Sequence, residues 1–179
     1  KAFIGAHSIA MQIWLFSAFF IDGYAAAGSV LAGRLNGERN WRDLYRVSWQ
    51  VVRVSIYIGA GLAVVYSLGY PWIGGLFTTD PEVLSIFNAV FWMVILTQPI
   101  NAVAFAFDGI YKGLGNGKIL RNVLLVSTFG VFVPAIIFTD HLGWKLFAVW
   151  TAFLLWMAVR GGQLALAFNR HYGAHAKHE

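Results

Sequence analysis

Two aspartates stand inside long apolar stretches of the sequence, and a glycine follows each of them. Asp22 lies in the sequence FFIDGY (19–24), and Asp108 lies in the closely similar sequence FAFDGIY (105–111). An ionised carboxylate costs several kcal/mol in hydrocarbon, so an acid within a membrane segment is by default a proton, ion or substrate site, or a structural charge with a nearby partner. The two aspartates are therefore the first candidates for chemistry.

Asp22 precedes Arg34, the first base of the following loop, by about 18 Å of helix, which places its carboxyl group near the middle of a bilayer. Apolar surroundings disfavour the charged form of a carboxyl group. Asp22 is therefore expected to hold a proton and to release it when water, a cation or a basic substrate approaches. An antiporter needs this behaviour. The structural alternative is a permanent ion pair with an intramembrane base, Arg53 or Arg160, or a bond to a neighbouring helix.

The second aspartate and a nearby proline leave two interpretations open. Asp108 precedes Lys112 by one helical turn, so the two could form an ion pair near the end of their helix. Pro99 interrupts the same apolar segment and frees a backbone carbonyl, which indicates either a packed kink or a bend around a cavity. Gln98 and Asn101 add polar groups at that depth. The predicted substrate or ion pathway consists of Asp22, Asp108, Gln98 and Asn101.

The sequence predicts no metal site, cofactor or enzyme active site. It contains no cysteine, which excludes thiolate ligands and disulfides. The glycine-rich sequence GLGNG (113–117) lacks the Lys-Ser/Thr pair of a phosphate-binding loop and is interpreted as a turn. Three histidines near the C-terminus are interpreted as a solvated tail rather than a metal site: His171, His175 and His178.

The segments that carry these acids have the composition of membrane helices. The chain is 59% hydrophobic and 12% charged, and its mean hydropathy is +0.64, whereas soluble domains are about 25% charged. About 20 apolar residues cross the roughly 30 Å of hydrocarbon in a bilayer. Five segments have this length, so we predict an all-α, polytopic membrane protein with helices at about 3–35, 47–68, 83–112, 119–139 and 143–168.

Basic residues alternate between loops. The first and third loops and the C-terminal tail are rich in arginine and lysine, the second loop has Asp80 and Glu82 without a base, and the fourth has only Lys145. The positive-inside rule then predicts a cytoplasmic C-terminus. Because the bases flank membrane segments, the net charge of +5 indicates membrane lipid, and not nucleic acid, as the partner.

Small residues and a second proline are interpreted as structural. Gly23 and Gly109 follow the two acids, and Gly28 and Gly33 continue one edge of the first segment. Helix packing is the predicted role of most of these glycines, because small residues let membrane helices approach closely. Pro134, in the fourth segment, has no polar neighbours and is interpreted as a structural kink.

The sequences around both aspartates resemble one transporter family. Residues 12–40, with IWLFSAFFIDGY (13–24) and GRLNG (33–37), resemble the eighth helix and the following loop of multidrug and toxic compound extrusion (MATE) transporters. The sequence FDGIY (107–111) resembles the tenth helix of the DinF-like branch. The resemblance covers essentially the whole chain. It implies that the five segments are helices eight to twelve of a twelve-helix protein, and that the N-terminal lobe and helix seven are missing.

This resemblance implies a secondary active antiporter of the inner (cytoplasmic) membrane. Such a protein exports organic cations or other amphipathic toxic compounds in exchange for H⁺ or Na⁺ by alternating access. Ser29 replaces a Glu that related sequences often have, and the family's main proton-linked Asp lies in the missing lobe, so Asp22 and Asp108 would be accessory cavity acids. Two alternatives remain: a flippase of the same superfamily for lipid-linked precursors, and a structural membrane subunit.

Overall fold

The structure, a computed structural model, describes residues 1–175 apart from the side chain of Asp140, and His178 of the predicted tail lies outside this range. Within these residues, five helical spans are long and apolar enough to cross a membrane, which confirms the predicted all-α architecture. The helices are α1 (Ala2–Gly37), α2 (Trp41–Ile73), α3 (Pro81–Gly113), α4 (Gly117–Ser127), α5 (Val133–His141) and α6 (Leu146–His175). A 3₁₀ turn (Gly74–Leu76) extends α2, and a π-helical turn (Thr128–Phe132) joins α4 and α5 into one span.

Most helix ends lie beyond the apolar segments that predicted them, whereas α6 begins three residues after the predicted start, because Gly143 lies in a turn with a φ of 71°. α2 begins at Trp41 because Asn40 caps it: the Asn40 Oδ1 atom accepts a hydrogen bond from the Asp43 backbone N–H at 3.1 Å. α3 begins directly after Asp80, whose carboxylate accepts a hydrogen bond from the Glu82 backbone N–H at 2.9 Å. Such caps satisfy backbone donors at a helix start. Hydropathy marks only the part of a helix within hydrocarbon, so the polar first and last turns were missed.

α3 is the central helix, since it packs against α1, α2 and α6. Its second half, from Ala104 to Tyr111, is almost completely buried. The helices alternate in direction, so the basic loops and the end of α6 meet at one end of the bundle, which we call the basic end. At this end Trp41 packs on Tyr172, whereas at the opposite end His7 packs on Trp150.

Glycines allow the backbones of α1 and α3 to touch. A Cβ atom at Gly109 would lie 2.5 Å from the carbonyl oxygen of Ala25, and one at Gly33 would lie 3.0 Å from the carbonyl oxygen of Gly113. Contacts this short leave no room for a side chain. Packing is thus the role that the structure shows for Gly28, Gly33 and Gly109, whereas Gly23 has no described atom within 4 Å of an added Cβ.

Pro134 shapes the fourth span. Proline has no N–H, so the carbonyl of Gly130 lacks its α-helical donor. The turn just before the proline, Thr128–Phe132, is π-helical. π-helical turns occur frequently at functional sites, and this one presents side chains to the cavity described below.

The crossing of α1 and α3 yields a prediction. Gly109→Ala should destabilise the protein by about 1–3 kcal/mol, because the new methyl group meets a backbone carbonyl that cannot move freely. Gly61→Ala is the matched control, since nothing lies within 4 Å of a Cβ there. Thermal unfolding followed by size-exclusion chromatography in detergent measures the difference. Equal stability of the two variants would contradict the close crossing.

Candidate functional site

Asp108 forms a buried ion pair with Arg160, between α3 and α6. The Arg160 Nη2 atom donates to Asp108 Oδ2 at 2.5 Å, and the two side chains are 17% and 8% exposed. Lys112, one of the predicted partners of Asp108, is exposed and makes no ion pair within the described residues. Arg160 is one of the two bases that the structural alternative offers to Asp22, and in the structure its guanidinium group pairs with Asp108 instead.

One oxygen of the Asp108 carboxylate is not satisfied by this pair. Its Oδ1 atom is buried and has no hydrogen-bond partner among the described residues. A buried ion pair repays the cost of removing both charges from water only when the remaining lone pairs are also satisfied. The free oxygen is therefore positioned to accept a hydrogen bond, a proton or a cation.

Trp156 connects the ion pair to a cavity. The Arg160 guanidinium lies 5.4 Å from the centre of the Trp156 ring, in the range of a cation–π interaction. The Trp156 Nε1 atom donates to Thr128 Oγ1, in the π-helical turn, at 3.2 Å. The Trp156 ring also lines an aromatic cavity of about 330 Å³. The cavity is lined by His7, Met11, Thr128, Phe132, Val149, Trp150, Phe153 and Trp156.

The aromatic cavity suits a flat, amphipathic ligand. Phe153 packs edge-on against Trp150 with ring centres 5.7 Å apart, and Phe132 lies 6.0 Å from Trp156. Ring faces carry partial negative charge, so such walls bind apolar groups and organic cations alike. Asp108 does not line the cavity; Arg160 connects its carboxylate to the Trp156 ring, and Asp108 is the buried acid among the side chains that the structure describes.

Asp22 lies on an exposed face of α1. Phe19 and Phe20 flank it and are 75% and 52% exposed. Within the described residues neither Arg160 nor Arg53 forms an ion pair with Asp22, so the predicted structural pairing is not observed. Asp22 and Asp108 lie on α1 and α3, two helices that pack against each other, but Asp22 is exposed and Asp108 is buried.

Gln98 and Asn101 occupy a separate position beside Pro99 of α3. Both are buried, and the Gln98 Nε2 atom donates to the Val94 carbonyl at 2.9 Å. A Cβ atom at Gly59 would lie 2.7 Å from the Gln98 carbonyl oxygen, so α2 packs closely against this part of α3. The Gln98 Oε1 and Asn101 Oδ1 atoms have no partners among the described residues. Neither residue lines the aromatic cavity.

Comparison with known proteins agrees with this architecture. The MatE family model matches residues 1–137. The chain belongs to the MatE family. The MatE chain is 32% identical over 162 residues to Protein DETOXIFICATION 45, chloroplastic, from Arabidopsis thaliana, covering 88% of the chain and 28% of that protein. It is 28% identical over 171 residues to DNA damage-inducible protein F of Escherichia coli (strain K12), covering 94% of the chain and 36% of that protein.

A solved structure has the same fold. The MatE chain superimposes on the crystal structure of the eukaryotic MATE transporter AtDTX14 with a TM-score of 0.90, at 16% sequence identity. The match covers 99% of the MatE chain and 40% of the AtDTX14 chain. The chain therefore spans about a third of the length of its curated relatives and corresponds to part of such a transporter.

The aromatic cavity was not predicted from the sequence. Its signal was present on α6, where Trp150, Phe153, Trp156 and Arg160 recur at helical spacing and so share one face. His7 and Phe132 come from other helices, and only the folded chain shows that they complete the wall. Among the described residues, no three His, Cys, Asp or Glu side chains are arranged to hold a metal ion.

A double-mutant cycle tests the ion pair of the MatE chain. Asp108→Asn or Arg160→Gln alone should destabilise the protein by about 3–5 kcal/mol, because either change leaves a buried charge without its partner. The double variant should recover most of this loss. Thermal unfolding in detergent measures all four proteins. Additive effects of the two single changes would show that the side chains do not interact.

Proposed function

We propose that this chain forms most of the C-terminal lobe of a secondary active antiporter, which exports organic cations or other amphipathic toxic compounds in exchange for H⁺ or Na⁺. The observation that carries the proposal is the buried Asp108 carboxylate, with one unpartnered oxygen, next to an aromatic cavity. Membership of the MatE family supports a transporter. The name of one relative, a DETOXIFICATION protein, supports toxic compounds as cargo.

The geometry suggests how cargo and ion compete for one carboxylate. The apolar rings of the cargo would enter the aromatic cavity, and its positive charge would approach Asp108 past Trp156. Arg160 already neutralises part of that carboxylate, so cargo binding would weaken the Arg160 bond. A proton or Na⁺ arriving at Asp108 or Asp22 would then reduce the attraction for the cargo and favour its release. No cofactor takes part in this cycle.

The exposed face of α1 supports the presence of a partner lobe. Asp22 and its phenylalanine neighbours are uncovered by the described helices, and an exposed acid in an apolar surface requires a polar or water-filled boundary. We assign this boundary to the cleft between the chain and an N-terminal lobe of the same protein. The loop charges support an inner-membrane location with the C-terminus in the cytoplasm.

The alternative functions receive less support. A flippase for lipid-linked precursors would need unpaired bases in its central cavity to hold an anionic headgroup, but Arg160, which contacts the cavity residue Trp156, is paired with Asp108. A structural subunit would not require an acid with an unpartnered oxygen. Neither alternative is favoured by a contact in the described residues.

Efflux by the complete transporter tests the proposed roles of the acids. Two variants are compared with the wild type: Asp22→Asn, and the charge-matched double variant Asp108→Asn with Arg160→Gln. Each should lower efflux of a fluorescent organic cation at least about tenfold, because each removes a carboxylate from the proposed path. Glu82→Gln is the control, since this acid lies exposed in the first turn of α3. Measuring efflux from vesicles under imposed pH and Na⁺ gradients identifies the coupling ion. Wild-type efflux in both variants would contradict the proposal.

Filling the aromatic cavity provides a test of its own. Val149→Phe should fit within a volume of about 330 Å³ and leave the fold intact, while it excludes large aromatic cations. Val126→Phe adds the same bulk to an exposed position and should have no effect. We expect the concentration for half-maximal efflux to rise about tenfold for large cargo only. If Val149→Phe transports large and small cargo as the wild type does, the cavity is not part of the transport path.

A further inference from the structure

The outward face of α2 changes character along its length. At the basic end this face carries Arg46, Gln50 and Arg53, all of them exposed. Farther along the helix the same face carries exposed apolar side chains: Tyr57, Val64 and Leu68. The spacing of three and four residues keeps these side chains on one stripe of the helix. The stripe therefore joins a cationic section to an apolar section.

Neither arginine of this stripe forms an ion pair with an acid whose side chain the structure describes. The sequence from residue 44 to residue 79 contains no Asp or Glu. Arg46 and Arg53 thus present two positive charges about 10 Å apart along the helix.

A groove with rigid aromatic walls lies between these charges. Its volume is about 730 Å³, and Tyr45, Trp49 and Val54 line it together with the polar residues of the stripe. The Tyr45 hydroxyl donates to Asn169 Oδ1 of α6 at 2.9 Å, and its ring stacks on Phe168 with an interplanar angle of 11°. The Trp49 ring packs edge-on against Phe107 at 5.5 Å. These contacts hold the walls in place without a ligand.

The position of the groove along α2 matches the boundary of a bilayer. Arg53 is the last charged residue of α2, and the rest of the helix is apolar. Arginine at such a depth extends its head toward the interface. Tyrosine and tryptophan also favour the headgroup layer. A ligand that satisfies the whole stripe needs an anionic head and hydrocarbon chains.

We propose that this groove binds the phosphate of an anionic phospholipid between Arg46 and Arg53. Tyr45 and Trp49 contact the glycerol region, and the acyl chains run along the apolar section of the stripe toward Leu68. The site does not depend on the cargo path, because neither arginine approaches the aromatic cavity. It anchors α2 at one depth in the membrane.

Native mass spectrometry of the complete transporter in neutral detergent tests the site. The probes are dioleoylphosphatidylglycerol and dioleoylphosphatidylcholine, which share their acyl chains but differ in charge. The wild type should retain the anionic lipid preferentially. Arg46→Gln with Arg53→Gln should lower the affinity for the anionic lipid about ten- to thirtyfold, since each base near the headgroups contributes about equally to the binding free energy. Arg53→Gln alone should give a partial loss.

The matched control is Lys118→Gln with Arg121→Gln, which removes the same charge from exposed positions at the basic end and should leave binding unchanged. An equal loss of lipid affinity in the control would overturn the proposal, because it would indicate non-specific attraction of anionic lipid to the basic end. Full competition by glycerophosphoglycerol, which has no acyl chains, would indicate a site for soluble phosphates and also overturn it. Equal retention of the two lipids by the wild type would also overturn the proposal.

Discussion

The close crossing of α1 and α3 is the contact on which the rest of the bundle depends. Gly109 lies against the Ala25 carbonyl, and Gly33 lies against the Gly113 carbonyl, so the two backbones meet without intervening side chains. Lipid tails are as apolar as leucine, and helices in a membrane therefore associate through close packing rather than through the hydrophobic effect. Because Asp108 immediately precedes Gly109, the crossing also fixes which way its carboxylate faces.

The ion pair of Asp108 and Arg160 links this crossing to α6. In surroundings of low dielectric constant the pair is costly to break, and it holds the register of α3 against α6. The same pair leaves one carboxylate oxygen without a partner and places the Arg160 guanidinium on the Trp156 ring. Packing and proposed function thus share one carboxylate, since a cation or a proton that binds there changes the contact that positions α6.

The sequence predicted the helices better than it predicted the site. Hydrophobic length and breaker residues are local signals, and they were sufficient to identify five spans. Partner choice is not local: Asp108 bonds Arg160 of α6 rather than Lys112 one turn away, because the approach of α6 brings the guanidinium within reach. The aromatic cavity likewise combines side chains of α1, α6 and the π-helical turn, which no single segment encodes.

Disulfide cross-linking tests the central arrangement of α3 and α6 most directly, and the described chain has no cysteine to interfere. A Cβ atom at Gly161 would lie 3.6 Å from the Val103 Cβ atom, close to the mean of about 3.8 Å in disulfides. The test uses a transporter with a protease site in the loop before α6. In the variant Val103→Cys with Gly161→Cys, oxidation should form a disulfide that keeps the two fragments joined after cleavage. Val103→Cys with Gly162→Cys should not. Separation of the fragments in the first variant would contradict the placement of Arg160 beside Asp108.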